Sequence, residues 1–253
     1  MIDVMQIHCP KCSHDFDVDI YVGEEAKNHN AKLTRRAVQH INFAEIALEI
    51  EHGNANAILS EGDSISFQLK NGRNVSVSVV AINHYSHDNV VFMFDDLYWK
   101  EQMNSRNTNR GGWANSYMAD YIESDILPQL PDELANVIVP RKIVQKIGGT
   151  AYERKSKLWL PSRTEIFGEH ESYKECDFGD KQFPLFIKEK SRVKALEDGT
   201  TEWYWLRSPY VGYSTFFWYV SYDGGGGSGD YASNVFGVCP CFIIGKLPDN
   251  EVA

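Results

Sequence analysis

Basic residues are in short supply: the 253-residue chain has 25 Lys and Arg against 35 Asp and Glu, a formal net charge of −10. Phosphate contacts require clustered Lys and Arg, so nonspecific binding to nucleic acid or to anionic membranes is not expected. The pair Arg35 and Arg36 is too small to reverse that balance. No apolar run approaches the roughly 20 residues that cross a bilayer, which argues against membrane insertion. The start MIDVMQIHCPKC has neither the basic nor the apolar part of a signal peptide, so synthesis in the cytoplasm without export by this N-terminus is expected. Cysteine is sparse and odd in number: Cys9 and Cys12, a lone Cys176, and Cys239 with Cys241. Such spacing is no disulfide framework and fits synthesis in a reducing compartment.

Catalytic signatures are missing too. The run Gly224 to Gly227 lacks both the Walker spacing and a Gly-Lys-Ser ending. No base, nucleophile or metal cluster appears with partners, so no enzymatic activity is expected. Cys9-Pro10-Lys11-Cys12 has the spacing of one knuckle of a zinc ribbon, two thiolates on a tight turn filling two corners of a tetrahedron. No second C-x-x-C follows at ribbon spacing. Completion would need His8, His14, His29, His40 or a second chain, which leaves Cys9 and Cys12 as candidate ligands of a structural zinc ion, or as a reduced pair in a small turn.

What is there begins with pattern. Residues 1–42 read as an N-terminal extension. From Phe43, FAEIALEIEHG has helical apolar spacing and a Gly stop. Alternating residues around Asn71-Gly72 predict a hairpin, with strands near Ser64–Leu69, Val75–Asn83 and Asn89–Asp95. Helices are expected in WANSYMADYIESDILPQL and PDELANVIV, and a short strand followed by a helical turn in KLWLPSRTEIFG. The acidic stretch after it is expected to be an exposed loop. Asn104, Asn107, Asn109 and Trp113 suggest a loop held by side-chain bonds to backbone, and Arg207 with Asp95 and Asp96 a scaffold ion pair. Strands, then helices, then strands indicate one α+β domain.

One stretch stands apart. Residues 210–236, YVGYSTFFWYVSYDGGGGSGDYASNVF, use ten residue types and contain no Lys, Arg, Glu, Gln, Leu, Ile, Met, Pro, His or Cys. Tyr, Gly, Ser and Asn make up 16 of its 27 positions, the composition of an antibody paratope, in which Tyr gives amphipathic contact area at low entropic cost and the small residues give adaptable hydrogen bonds. Binding is the use this composition suits. Five Tyr and three Phe also exceed what one short strand can bury.

The motifs GDSISF, NRGGWANSYMADYI, LPDELANVIV, KLWLPSRTEIFG, YWLRSP, FWYV and GVCPCF, in this order over residues 43–245, resemble a bacterial and viral family with the C-type lectin fold that includes the variable proteins of diversity-generating retroelements. The resemblance implies an α+β C-type lectin domain over 43–247 behind the small extension. It also implies that segment 210–236 is rewritten at adenines by an error-prone reverse transcriptase, which yields Tyr, Ser, Thr, Asp, Gly, Val, Phe and Ala but not Lys, Glu, Gln, Met or Trp. The product would be a hypervariable ligand-binding protein. Its setting would be host-receptor binding by a virus or prophage tail protein at the virion surface, with a protein or glycan on a cell surface as ligand and a virion assembly partner for the extension. Phe217, Trp218 and Val220 would belong to the scaffold, with Trp205, Phe217, Val220, Val238 and Phe242 inward. The ligand-binding set would be Tyr210, Gly212, Tyr213, Thr215, Phe216, Tyr219, Ser221, Tyr222, Asp223, Ser228, Asp230, Tyr231, Ser233, Asn234 and Phe236.

The lectin name brings no calcium-dependent sugar reading with it, since the usual Glu-Pro-Asn, Gln-Pro-Asp and Trp-Asn-Asp tripeptides are missing. Two alternatives stay open. A formylglycine-enzyme-like or thiol/copper oxidoreductase would use Cys239 and Cys241 in an exposed cleft, although Pro240 stands where the catalytic Cys of that family would be. A structural virion protein would pack the side chains of 210–236 against its own chain.

Overall fold

The computed structural model describes residues 3–8, 15–20 and 42–248. The chain divides into two compact units, Met1–Ile41 and Asn42–Ala253. In the first, β1 (Asp3–His8) and β2 (Asp15–Ile20) form an antiparallel hairpin, Asp3 opposite Ile20. Cys9 and Cys12 lie outside the described residues.

The second unit is α+β. Asn42 opens the helix Phe43–Glu51 through a capping box with Glu45, satisfying backbone donors that would otherwise be orphaned. Phe43, Ile46 and Ile50 are its buried face, and a short helix, Ala55–Ile58, follows. One sheet has four antiparallel strands, in order β13 (Cys241–Gly245), β5 (Asn89–Phe94), β4 (Asn74–Ile82) and β3 (Ser64–Gln68). Gly72, at φ +88°, makes the β3–β4 turn. All six residues of β5 are buried, and Phe92 stacks on Phe242 with centroids 5.2 Å apart.

The other large sheet runs β11 (Gly226–Tyr231), β10 (Phe216–Val220), β9 (Tyr204–Pro209), β12 (Val235–Val238) and β6 (Trp99–Gln102). Its pairs are antiparallel except β9 with β12. Segment 210–236 supplies β10 and β11 at one edge and ends in the first two residues of β12.

Between β6 and β9 the chain runs through short helical turns, one hairpin and connecting loops. The helix Tyr117–Tyr121 widens into a π-turn over Ile122–Ile126, which keeps Ile122 and Ile126 buried and leaves Tyr117 exposed. The helix Asp132–Val137 follows, then the hairpin of β7 (Arg141–Ile147) and β8 (Thr150–Ser156). Next comes the helix Arg163–Phe167, with Ser162 and Glu165 as a second capping box. The expected strand at Lys157–Leu160 is reduced to a single bridge, Trp159 with Cys241. Among the described residues no helix is long and apolar enough to cross a membrane.

Two expectations change here. Arg207 does not meet Asp95 or Asp96. Its guanidinium bridges Glu165 (Nη1 to Oε2, 2.6 Å) and Asp180, and Arg141 bridges the same two acids at 2.7 and 2.6 Å, all four side chains buried. Asp95 instead accepts the hydroxyls of Ser64 and Ser78. The acidic loop is not wholly exposed either, because Asp177 and Asp180 are buried in or beside this cluster. Buried carboxylates need paired cations and donors, and the two arginines with Ser208 and Thr164 supply them.

Candidate functional site

Segment 210–236 starts where β9 ends at Pro209. A tight loop over Tyr210–Thr215 brings the chain back into β10, with Tyr210 N donating to Phe216 O at 3.0 Å and Gly212 at φ +94°. Asn109 holds this loop from beneath. Its side-chain amide donates to Tyr213 O (2.8 Å) and Phe216 O (2.9 Å), and its backbone N to Ser214 O (2.7 Å). Asn107 does the same for the later turn, accepting from Ser233 N and Oγ, while Asn104 accepts from Tyr117 N. The expected asparagine-held loop is therefore the floor of the candidate face.

In β10, Phe217 and Val220 are fully buried, as are Trp205, Val238 and Phe242. A bulge shifts the register near Trp218 and Tyr219 on both sides of the strand, breaking strict alternation. Phe217 and Val220, three positions apart, therefore both face the core, while Trp218, next to Phe217, lies on the outer side and stacks on Tyr210 (5.3 Å, 26°). Trp218 is half-buried, held among aromatic neighbours rather than in the core. Tyr210, Tyr213, Phe216 and Tyr231 continue this cluster, with Tyr213 stacked on Phe216 (5.2 Å) and Phe216 edge-on to Tyr231 (4.7 Å).

Tyr213, Tyr222 and Tyr231 expose 58, 55 and 47% of their surfaces. Gly212, Asp223 and Ser228 are also exposed, while Tyr210, Thr215, Phe216, Tyr219 and Ser221 are half-buried. Asp230, Ser233 and Asn234 are half-buried in a turn, where Asp230 Oδ1 accepts from Tyr231 N and from Asn234 Nδ2. Their polar groups shape that turn. Phe236 is a correction: it was expected outward but is buried, packed on Trp205 (4.4 Å) and Trp203 (5.3 Å), with Tyr219 completing this second cluster. The aromatic wall of Trp203, outside the segment, turns it in.

Two of the segment's glycines are fixed by close approach. A Cβ on Gly229 would lie 2.4 Å from the Tyr210 ring, and one on Gly224, at φ +84°, would lie 2.5 Å from Glu189 O.

Sequence reasoning missed the residues bordering Tyr210 and Trp218. Arg163, from the helix after β8, and Tyr173, from the turn Glu171–Tyr173, meet these rings, Tyr173 edge-on to Trp218 at 5.4 Å. With His170, Ser172 and Val211 they line a pocket of about 340 Å³. Burial raises the Tyr173 phenol and lowers the Arg163 guanidinium from their ordinary values. Nothing in composition marks these positions, because they lie outside the restricted alphabet.

Cys239 and Cys241 are fully buried. Burial pushes the Cys239 thiol up to about 12 and Cys241 well above its ordinary value, so both remain thiols rather than thiolates. The exposed cleft that a thiol or copper oxidoreductase would need is not formed around them. Among the described residues no group of three His, Cys, Asp or Glu could hold a metal ion.

The sequence profile of a family described as a domain of unknown function, DUF6273, matches residues 88–246. No curated protein and no solved structure matches the chain.

Proposed function

The chain belongs to the DUF6273 family, and we propose that it is a binding protein of C-type lectin fold whose outer sheet edge is a hypervariable, ligand-contacting face. The carrying observation is the solvent exposure of Tyr213, Tyr222 and Tyr231 on the segment with the restricted alphabet, while Phe217 and Val220 of the same segment anchor it in the core. Two α+β features support the lectin fold: a four-stranded sheet behind the core, and a second sheet that carries the candidate loops at one edge. A diversity-generating retroelement accounts for the alphabet, and a viral or prophage tail tip, binding a receptor on a host surface, is the setting proposed for it.

The exposure of those tyrosines disfavours the structural virion protein, which would bury them in its own chain. The test is a display library randomised at Tyr213, Tyr222, Asp223, Ser228 and Tyr231 and selected on one purified protein such as egg-white lysozyme. Folded members that gain affinity are expected. A library that loses folding at these positions, or yields no binders, contradicts the proposal.

A further inference from the structure

The pocket beside Tyr210 contains a cation with no acid. Arg73 pairs with Glu197, Arg154 with Asp120 and Glu123, and Arg141 and Arg207 with Glu165 and Asp180. Arg163 pairs with none among the described residues. Its Nη1 donates to Gly168 O at 2.8 Å, its Nε is buried without a partner, and its guanidinium carbon lies 5.0 Å from the Tyr173 ring centre and 5.3 Å from that of Trp218. Asp177, the acid whose charge it feels, spends its carboxylate on Thr164 and Ser208. In a chain of net charge −10, a half-buried guanidinium clamped by two rings and left without a carboxylate is a prepared anion site.

The surroundings indicate what carries the anion. The pocket shares Ser172, Tyr210 and Val211 with a groove of about 830 Å³ that reaches the turn at Gly148 and the exposed Tyr213. That groove offers tyrosine rings and short polar groups such as Ser214, while Lys146 and Lys174 at its side are each paired at 2.7 Å with an acid that also lines it, Glu175 and Glu171, which leaves Arg163 as the anchor for a negative charge. A deep apolar socket, which peptide anchors use, is not what lines it. Ring faces together with hydroxyl-sized donors suit sugar rings.

We propose that this pocket and groove bind an acidic oligosaccharide without calcium, the carboxylate of one uronic or sialic acid unit seated on Arg163 and the adjoining sugar rings along Tyr210 and Tyr213. The inference rests on the ligand-binding reading of this face and adds a ligand class to it. Arg163, His170 and Tyr173 lie outside segment 210–236, so the anchor persists while the surrounding face changes.

The test is calorimetric titration, in EDTA, of tetragalacturonate against maltotetraose and of 3′-sialyllactose against lactose. At least one acidic member should bind about tenfold or more tightly than its neutral counterpart, and added salt should weaken it. Arg163→Gln should cost about tenfold or more. Arg163→Lys, which keeps the charge without the planar fork, should fall between. Lys70→Ala, at the β3–β4 turn and outside both pocket and groove, should leave the sugar affinity unchanged. Melting curves identify any variant that does not fold, and Arg163→Lys carries the test if Arg163→Gln does not.

Equal binding of acidic and neutral sugars, indifference to both Arg163 variants, or no binding of either acidic sugar overturns the proposal. So does Arg163-dependent binding of a phosphotyrosine peptide by a protein that ignores both sugars. If the sugars fail while the display library still yields binders, the anchor is wrong and the variable face stands; if both fail, both are wrong.

Discussion

Gly229 and Tyr210 share one space. Because the Tyr210 ring lies where a Cβ on Gly229 would fall, Gly229→Ala is expected to destabilise the protein by about 1–3 kcal/mol through overpacking. Tyr210→Ser should relieve most of that loss in the double variant, a coupling that melting curves of the two single variants and the double variant measure. Asp177 sets a second residue-scale expectation. Burial, and then the charge of Asp180, raise its carboxyl from 3.8 to about 7. The folded state therefore binds this proton more tightly than the unfolded chain, so the stabilisation is full below about pH 4 and is lost as pH rises toward 7. Glu165 works in the opposite sense, since Arg207 and Arg141 hold it below the usual carboxylate range against its burial and its contribution fades as pH falls. Asp177→Asn removes the first effect alone. Its melting temperature relative to the parent should climb between pH 4.5 and pH 7.5, and a difference that stays flat would contradict the assignment.

At the scale of elements, the loop Tyr210–Thr215 depends on a residue about a hundred positions away. Asn109→Ala strips the side-chain donors from Tyr213 O and Phe216 O and should cost about 1–3 kcal/mol. Hydrogen exchange should quicken at the amides of 210–216 and stay slow in β5. How much was legible in the sequence also divides by element. The β3–β4 hairpin could be read because its inward residues, Ile65, Val77 and Val79, are apolar and its turn is Asn-Gly. The β7–β8 hairpin escaped because two of the three buried residues that begin β7 are Arg141 and Gln145. Their burial depends on distant partners, the acids Glu165 and Asp180 for Arg141 and the backbone of Trp113 and Arg207 for Gln145. In β10 the inward places of Phe217 and Val220 followed from apolar character, whereas the bulge that lets two residues three positions apart share one face leaves no mark in composition.

Across the whole second unit, the four-residue ion cluster fastens β7, the helix Arg163–Phe167, the loop containing Asp180 and β9 to one another. That gives the unit a fixed, internally satisfied frame, while Tyr213, Tyr222 and Tyr231 at the loop and sheet edge keep about half of their surface exposed. Such a division lets outward side chains change while the fold persists, since surface substitutions away from packed features usually move stability by less than about 0.5 kcal/mol. The tyrosine alphabet at the surface was readable from sequence; the frame under it was not, because its charged members are joined only by folding. The most direct test is deep sequencing of codons 210–236 and their flanking DNA across a population carrying this gene. Substitutions should concentrate at Tyr213, Tyr222, Asp223, Ser228 and Tyr231, spare Phe217, Val220 and Gly224, and match adenines in a near-copy beside a reverse transcriptase gene. Variation spread evenly over buried and exposed codons, or an unvarying segment with no such copy and no reverse transcriptase, would contradict the account.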